Sequence, residues 1–206
     1  MSPTSSSARP ASPVEAYHIR RLRRADAGDF LAHLLRLDME TRRLRFGSAV
    51  NDAFLRRYAQ TAQQGGGVVK GLFIAGTLRG VAELRDIASA QPEAAFSLER
   101  PWQGRGYGTR LFASLVDAAR NGQADRFVIQ CLRDNVAMQK IARRHEAELR
   151  FEDGEVTAEL RHPGGDLASR VREAAEERFA FSLAAADRAL YRLAAEIGID
   201  LRLRAA

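Results

Sequence analysis

The residues whose types and spacing could do chemistry stand in one stretch, from Glu93 to Asn121. Glu93 opens a short apolar run in which Phe96 and Leu98 fall on one side of a strand. Pro101 stops that strand, because proline has no N–H for a ladder. Gln103, Gly104, Arg105, Gly106, Tyr107 and Gly108 follow, then Thr109 and a segment with Leu111, Phe112, Leu115, Val116 and Ala119 at helical spacing. The pattern predicts a strand, a glycine-rich turn and a helix. Three missing side chains let the backbone approach a ligand closely and take positive φ. N–H groups at a helix start, with the positive end of its dipole, attract an anion, most often a phosphate. The plainer alternative is a strand–helix connection that binds nothing.

Two familiar phosphate loops do not match. A P-loop requires Gly-Lys-Ser/Thr after its first glycine, and no such run follows here. A dinucleotide fingerprint requires a different glycine spacing and an acidic residue about 20 positions on. The next predicted strand, Arg126 to Leu132, ends near Asp134, too late for that role.

The segment instead resembles the coenzyme A loop of the GNAT superfamily of N-acetyltransferases. That loop has Gln or Arg, two residues, Gly, one residue, then Gly or Ala, and residues 103–108 fit it. A second element of the family, a strand followed by an Asn and a helix, is similar to Arg126–Leu132 followed by Asn135 to Ala142. The resemblance covers roughly residues 17 to 161. It implies an acetyl-CoA co-substrate held by Gln103, Gly104, Arg105, Gly106, Tyr107, Gly108 and Thr109, with Phe96, Leu98 and Asn135 also on the cofactor side. Leu98, with Phe96 beside it, matches the position where the family's fourth strand parts from the fifth and offers a backbone N–H to the thioester oxygen. The acceptor amine must lose a proton, for which a carboxylate is the usual base. Glu93 is the first choice and Glu83, on the preceding strand, the second. Glu93 is similar in position to a glutamate of bacterial protein-lysine acetyltransferases that act on acyl-CoA synthetases. Those proteins also resemble this chain at Glu40 to Phe46 and at Asn135, Met138, Ile141 and Ala142. Many family members place a Tyr where Ala142 stands and a Gly near Glu146. Water or Tyr107 is then left to protonate the leaving thiolate, if an acid is needed at all.

The elements that must position these residues can be read in order. Residues 1–15 are rich in Ser, Ala and Pro and form a predicted disordered tail. Tyr17 begins a first strand. Asp26 is expected to cap a helix carrying Phe30, Leu31, Leu34 and Leu35. A second helix over 37–46 ends at Gly47, and Asn51 caps a third with Phe54, Leu55 and Tyr58. Arg42, Arg43, Arg45, Arg56 and Arg57 on these helices read as a solvated face or as a seat for an acidic acceptor. His18 and His33 read as structural or surface residues. Strands over 68–75 and 81–87 form a hairpin turned by Gly76 to Gly80, and Asp153–Gly154 turns another. Cys131, alone in the sequence, reads as buried and inert. His145 reads as an exposed helix-end residue.

Composition sets bounds. A single cysteine excludes an internal disulfide. No apolar run reaches the length of a membrane span, and no signal peptide is apparent, so a cytoplasmic protein is expected. The net charge of +6 comes from thirty arginines and two lysines against 26 acids, dispersed rather than blocked, so nucleic acid is not an expected partner. No metal site is expected. The predicted fold is α/β (α+β): a GNAT-like mixed, mostly antiparallel sheet flanked by helices, over 16–162. A C-terminal helical extension, 163–206, carries Leu167, Val171, Ala175 and Phe179, then Leu183, Ala186, Leu190, Leu193 and Ile197 at spacings of three and four. A helix of about 30 residues would reach about 45 Å, and it either packs on its own sheet or pairs with a second copy in a homo-oligomer. The expected activity is acetyl transfer to a primary amine of a small molecule or protein, by direct attack in a ternary complex. The alternative is a non-catalytic coenzyme A-binding protein that associates through its C-terminal helix.

Overall fold

The computed structural model describes residues 16–62, 67–122 and 124–161, with isolated positions between 171 and 193. The expected N-terminal tail and most of the C-terminal extension lie outside the described residues. Seven strands form one sheet: β1 (Tyr17–Arg21), β2 (Val68–Ile74), β3 (Thr77–Arg85), β4 (Glu93–Leu98), β5 (Arg126–Leu132), β6 (Glu148–Glu152) and β7 (Glu155–Arg161). Their order is β1-β2-β3-β4-β5-β7-β6, and every pairing is antiparallel except β4 with β5. That one parallel neighbour is forced by the crossover through α4 (Tyr107–Asn121), since parallel strands need a long connection. Helices α1 (Ala27–Arg36), α2 (Met39–Phe46) and α3 (Asp52–Thr61) follow β1, and α5 (Val136–Arg144) follows β5.

The alternation of side chains along each strand divides the core in two. On one face Leu111, Phe112, Leu115 and Val116 of α4 and Met138 and Ala142 of α5 pack against Leu72, Ala82, Leu84, Phe127 and Ile129. On the other, Phe30 and Leu34 of α1 and Leu55 and Ala59 of α3 pack against Val69, Phe73 and Val81. Phe112 is central to the first, stacking on Phe96 at 5.2 Å and tilted against Phe127 at 6.2 Å.

Several local expectations need correction. The β2–β3 turn is two residues, Ala75 and Gly76, both at positive φ (47° and 68°), so Thr77 to Gly80 belong to the strand. This is the backbone of a tight two-residue hairpin, whose twist matches that of the strands. Register then slips by one: Leu72 pairs with Gly80 and Phe73 with Leu78, leaving Arg79 as a bulge. Asp26 makes no side-chain cap on α1. Its carboxylate takes both guanidinium nitrogens of buried Arg20 at 2.8 Å and the Arg23 N–H at 2.8 Å. Helix α2 starts at Met39, two residues later than expected, and is capped by Asp38 accepting from Thr41 N at 2.8 Å. Asn51 caps α3 as expected, accepting from Phe54 N at 2.9 Å. Cys131 is buried, and burial pushes its thiol up to about 11.

Phe112→Ala removes the residue that joins α4 to both β4 and β5. It should destabilise the fold by about 3–5 kcal/mol, read as a lower denaturant midpoint at unchanged m-value. A loss under about 1 kcal/mol would show that this contact is not central to the core.

Candidate active site

The site begins where β4 leaves β5. The two strands share a single bridge, Glu93 with Val128, closed by Val128 N–H donating to Pro92 O at 2.8 Å. Past it, β4 is paired only with β3. In an antiparallel pair, successive residues turn their N–H alternately toward and away from the partner. Glu99 N–H donates to Arg79 O at 3.0 Å, so Glu99, Ser97 and Ala95 face β3. Phe96 and Leu98 therefore aim their N–H groups into the opening toward β5. These are the two positions expected from sequence to border the gap.

At the wide end of the gap the chain turns through the glycine loop. Gly104 and Gly106 have φ of 72° and 84°, the left-handed region that glycine enters without strain. A Cβ at either would meet nothing within 4 Å, so backbone conformation and not crowding selects glycine there. Gly108 is different: a Cβ would lie 3.1 Å from Ile141 Cδ1, so its lack of a side chain sets how closely α4 approaches α5. Gly106 gives α4 no side-chain cap, and the first intrahelical bond is Arg110 N–H to Gly106 O at 3.2 Å. The N–H groups of Gly108 and Thr109 thus lie ahead of the helical ladder, at the positive end of its dipole. The loop and helix start can cradle a phosphate, and the gap beside them can take an extended amide-bearing chain.

Gln103 donates to Leu98 O at 2.8 Å and lies 3.4 Å from Thr41 Oγ1. It folds the loop back onto the last residue of β4 and links it to α2. Arg105 lies over the Trp102 ring at 5.4 Å. Tyr107 starts α4 two residues before the expected helix, and its ring is buried between Tyr17 at 5.5 Å and Trp102 at 6.3 Å. It is a packing residue here, not an exposed loop contact. Asn135 Oδ1 accepts from Met138 N at 3.1 Å and so caps α5. Ala142 is buried. Glu146, near the family's usual glycine, holds a left-handed φ of 63°, so the backbone turn is kept without the residue that suits it. His145 is no exposed helix-end residue: it stacks on Phe112 at 4.5 Å, and burial lowers its basicity.

The two candidate carboxylates sit differently. Glu93 lies at the narrow end of the gap, paired with Arg85 at 3.0 Å, its side chain 39 % exposed. Glu83, on the same face of β3, is fully buried. It receives Arg45 Nη2 at 2.6 Å on one oxygen and Tyr58 OH at 2.5 Å on the other. Burial, followed by the Glu83 charge, pushes the Tyr58 phenol up from its ordinary value. Both Glu83 oxygens are thus committed to tying α2 and α3 to the sheet. The arginines of α2 are consumed similarly: Arg42 by Asp52 and the carbonyls of Leu35 and Leu37, and Arg43 by Glu40 and by Asp134 across the gap. Arg56 and Arg57 of α3 are exposed.

Sequence reasoning missed three polar residues beside the gap. His33 of α1, read as structural or surface, is fully buried between Ser97 Oγ at 2.9 Å and Glu99 Oε1 at 3.2 Å. Its partners stand 64 and 66 residues away, so no local pattern announces them. A cavity of about 710 Å³ lined by Asp86, Ile87, Pro92 and Arg126 lies at the other end of β4 from the loop.

A sequence profile for the acetyltransferase (GNAT) domain matches residues 17–148. Among solved structures, the GNAT domain of S. lividans PAT superposes with a TM-score of 0.60 at 22 % identity, over 69 % of this chain and 89 % of that one. The yncA protein of Salmonella typhimurium, a putative acetyltransferase solved with acetyl-CoA, gives 0.54 at 16 % identity over 74 % and 99 %. The ribosomal alpha-N-protein acetyltransferase RimL, solved with coenzyme A, gives 0.56 at 17 % over 76 % and 98 %. With the match spanning well over half of its length, this chain belongs to the GNAT family of acetyltransferases.

Proposed function

We propose that the chain is an acetyl-CoA-dependent N-acetyltransferase that acetylates a primary amine, such as a protein lysine, by direct attack in a ternary complex. The observation that carries this reading is the gap between β4 and β5, which opens onto the glycine-turned start of α4. The N–H groups of Gly108 and Thr109, with the backbone of 103–107, hold the pyrophosphate. The Leu98 N–H, with that of Phe96 beside it, donates to the thioester oxygen and stabilises the charge that develops there, and the same gap takes the pantetheine arm. Glu93 takes the proton from the attacking ammonium, directly or through water, so that the neutral amine forms the new C–N bond as the C–S bond breaks. Its partial exposure and its place at the narrow end of the gap suit that role better than the closed pair of Glu83. A thiolate leaves readily enough for water to protonate it, in keeping with an alanine at 142. That alanine also favours the second reading, a coenzyme A-binding protein without turnover.

The segment from 163 onward is read, from the spacing of its apolar residues, as an extension that pairs with a second copy. The single cysteine and the lack, among the described residues, of a helix long and apolar enough to cross a membrane accord with a cytoplasmic enzyme.

Acetyl-CoA and coenzyme A, but not NAD, should raise the melting temperature, with about 2.7 kcal/mol of stabilisation at a hundredfold excess over Kd. No shift with either thioester or thiol contradicts the reading. Glu93→Gln should lower kcat by about 10²- to 10⁴-fold with acetyl-CoA binding retained. Binding by the parent protein with no turnover on any amine tried would instead favour the second reading. Glu83→Ala should cost about 3–5 kcal/mol of stability, because it leaves the buried Arg45 without its carboxylate. A monodisperse monomer by light scattering at micromolar concentration would contradict self-association.

A further inference from the structure

The face of β4 that looks toward α1 carries a buried polar chain that the proposed chemistry does not use. Ser97, His33 and Glu99 are all buried. Glu99 closes the chain with two further cations, Arg36 Nε at 2.9 Å on one oxygen and Arg79 Nη1 at 2.9 Å on the other. Arg79 is the bulged residue of β3, and the bulge re-aims its side chain to this point. Burial alone would push the Glu99 carboxyl up, but the His33 hydrogen bond and the arginine charges hold it below its ordinary value. An ionised Glu99 can only accept, so the proton of His33 sits on Nδ1. Nε2 then carries the lone pair and accepts from the Ser97 hydroxyl. Burial keeps the imidazole neutral by lowering its basicity, against the pull of Glu99. The direction of every bond in the chain is thereby fixed.

This chain grips β4 at 97 and 99, on either side of Leu98 and next to Phe96. Those two residues turn their N–H groups to the gap, where no β5 partner steadies them. Along this half of the strand the β3 ladder holds one edge, and α1 supplies a second tether from outside the sheet plane.

We propose that His33 and Ser97 are positioning residues that hold the Phe96 and Leu98 N–H groups in place for the acyl donor. The proposal rests on the reading of the gap as the acetyl-CoA site. It also has a pH consequence. The groups facing His33 are Glu99, Glu83, Arg36 and the neutral Ser97 hydroxyl. A histidine whose folded basicity is depressed is neutral above its folded pKa and charges as pH falls through it. Protonation places a donor at Nε2, and the Ser97 hydroxyl, which accepts as well as donates, then accepts from it. The bond therefore reverses direction on acidification, and the tether is kept in both protonation states.

The test uses the full chain and three variants. Ser97→Ala and His33→Asn both lose the bond at position 97, although asparagine still reaches Glu99. His33→Gln can reach Ser97 in place of Nε2. Isothermal calorimetry with coenzyme A and steady-state kinetics over about pH 5 to 8 are the readouts. Ser97→Ala and His33→Asn should weaken coenzyme A binding and lower kcat/KM for acetyl-CoA by about tenfold, the scale of one hydrogen bond, at temperatures where both remain folded. His33→Gln should recover most of the loss, and the deficit of Ser97→Ala should persist across this pH range. Variants that melt earlier yet keep the parent's Kd and KM would overturn the proposal, leaving a structural role alone. No binding of coenzyme A by the parent would remove the site reading and this proposal with it. Parent binding equalled by Ser97→Ala would overturn this proposal and leave the site reading standing.

Discussion

The parting of β4 from β5 is the constraint on which the rest of this structure depends. A strand in the middle of a sheet normally has both edges paired, because unpaired backbone groups are costly when buried. Here β4 gives up that pairing after one bridge, and the Phe96 and Leu98 N–H groups are left facing an opening. Such a strand must be held in other ways. The β3 ladder runs along its whole length, from Arg85 opposite Glu93 to Gly80 opposite Leu98. Phe96 stacks on Phe112 on one face, and Ser97 is fixed to His33 on the other. Gln103 then reaches back to the Leu98 carbonyl. Each contact costs the sequence a specific residue, and together they make the opening a defined shape rather than a frayed edge.

The same economy appears in the charges. An arginine-rich chain invites a reading in terms of anionic partners. The structure spends many of these side chains on partners within the fold: the buried Arg20 on Asp26 and Arg45 on Glu83, and nearer the surface Arg42 on Asp52 and two carbonyls, Arg79 and Arg36 on Glu99. Guanidinium suits these places because its planar fork meets a carboxylate or several carbonyls at once and stays charged when buried. Helix α2 reaches both sides of the opening in this way, through Thr41 near Gln103 and Arg43 on Asp134. It forms a wall whose position is fixed by ion pairs more than by apolar burial.

How far the sequence reveals this depends on the range of each interaction. Strand β4, the loop and helix α4 are legible because their signals are local: Pro101, the glycine spacing and the apolar period of 111–119. The Asp153–Gly154 turn and the Asn51 and Asn135 caps are legible for the same reason. The Ala75–Gly76 turn is missed because an alanine, with no turn signature, takes the left-handed conformation. Asp26 looks like a helix cap, but a buried arginine competes for its carboxylate and wins. His33, Ser97 and Glu99 are unremarkable in sequence, and only the fold brings α1 against β4. Glu83 and Glu93 are both visible as carboxylates beside the gap, yet burial alone distinguishes a closed structural anion from one with access to solvent.

The account holds that the Phe96 and Leu98 amides and the turn at 104–109 together receive one ligand. The most direct measurement is a titration of the ¹⁵N-labelled protein with coenzyme A, followed by amide chemical shifts. The account predicts the largest shifts at Phe96, Leu98 and Gly104 to Thr109, with the outer strand β6 unmoved. Shifts confined elsewhere, or none at saturating coenzyme A, would contradict it.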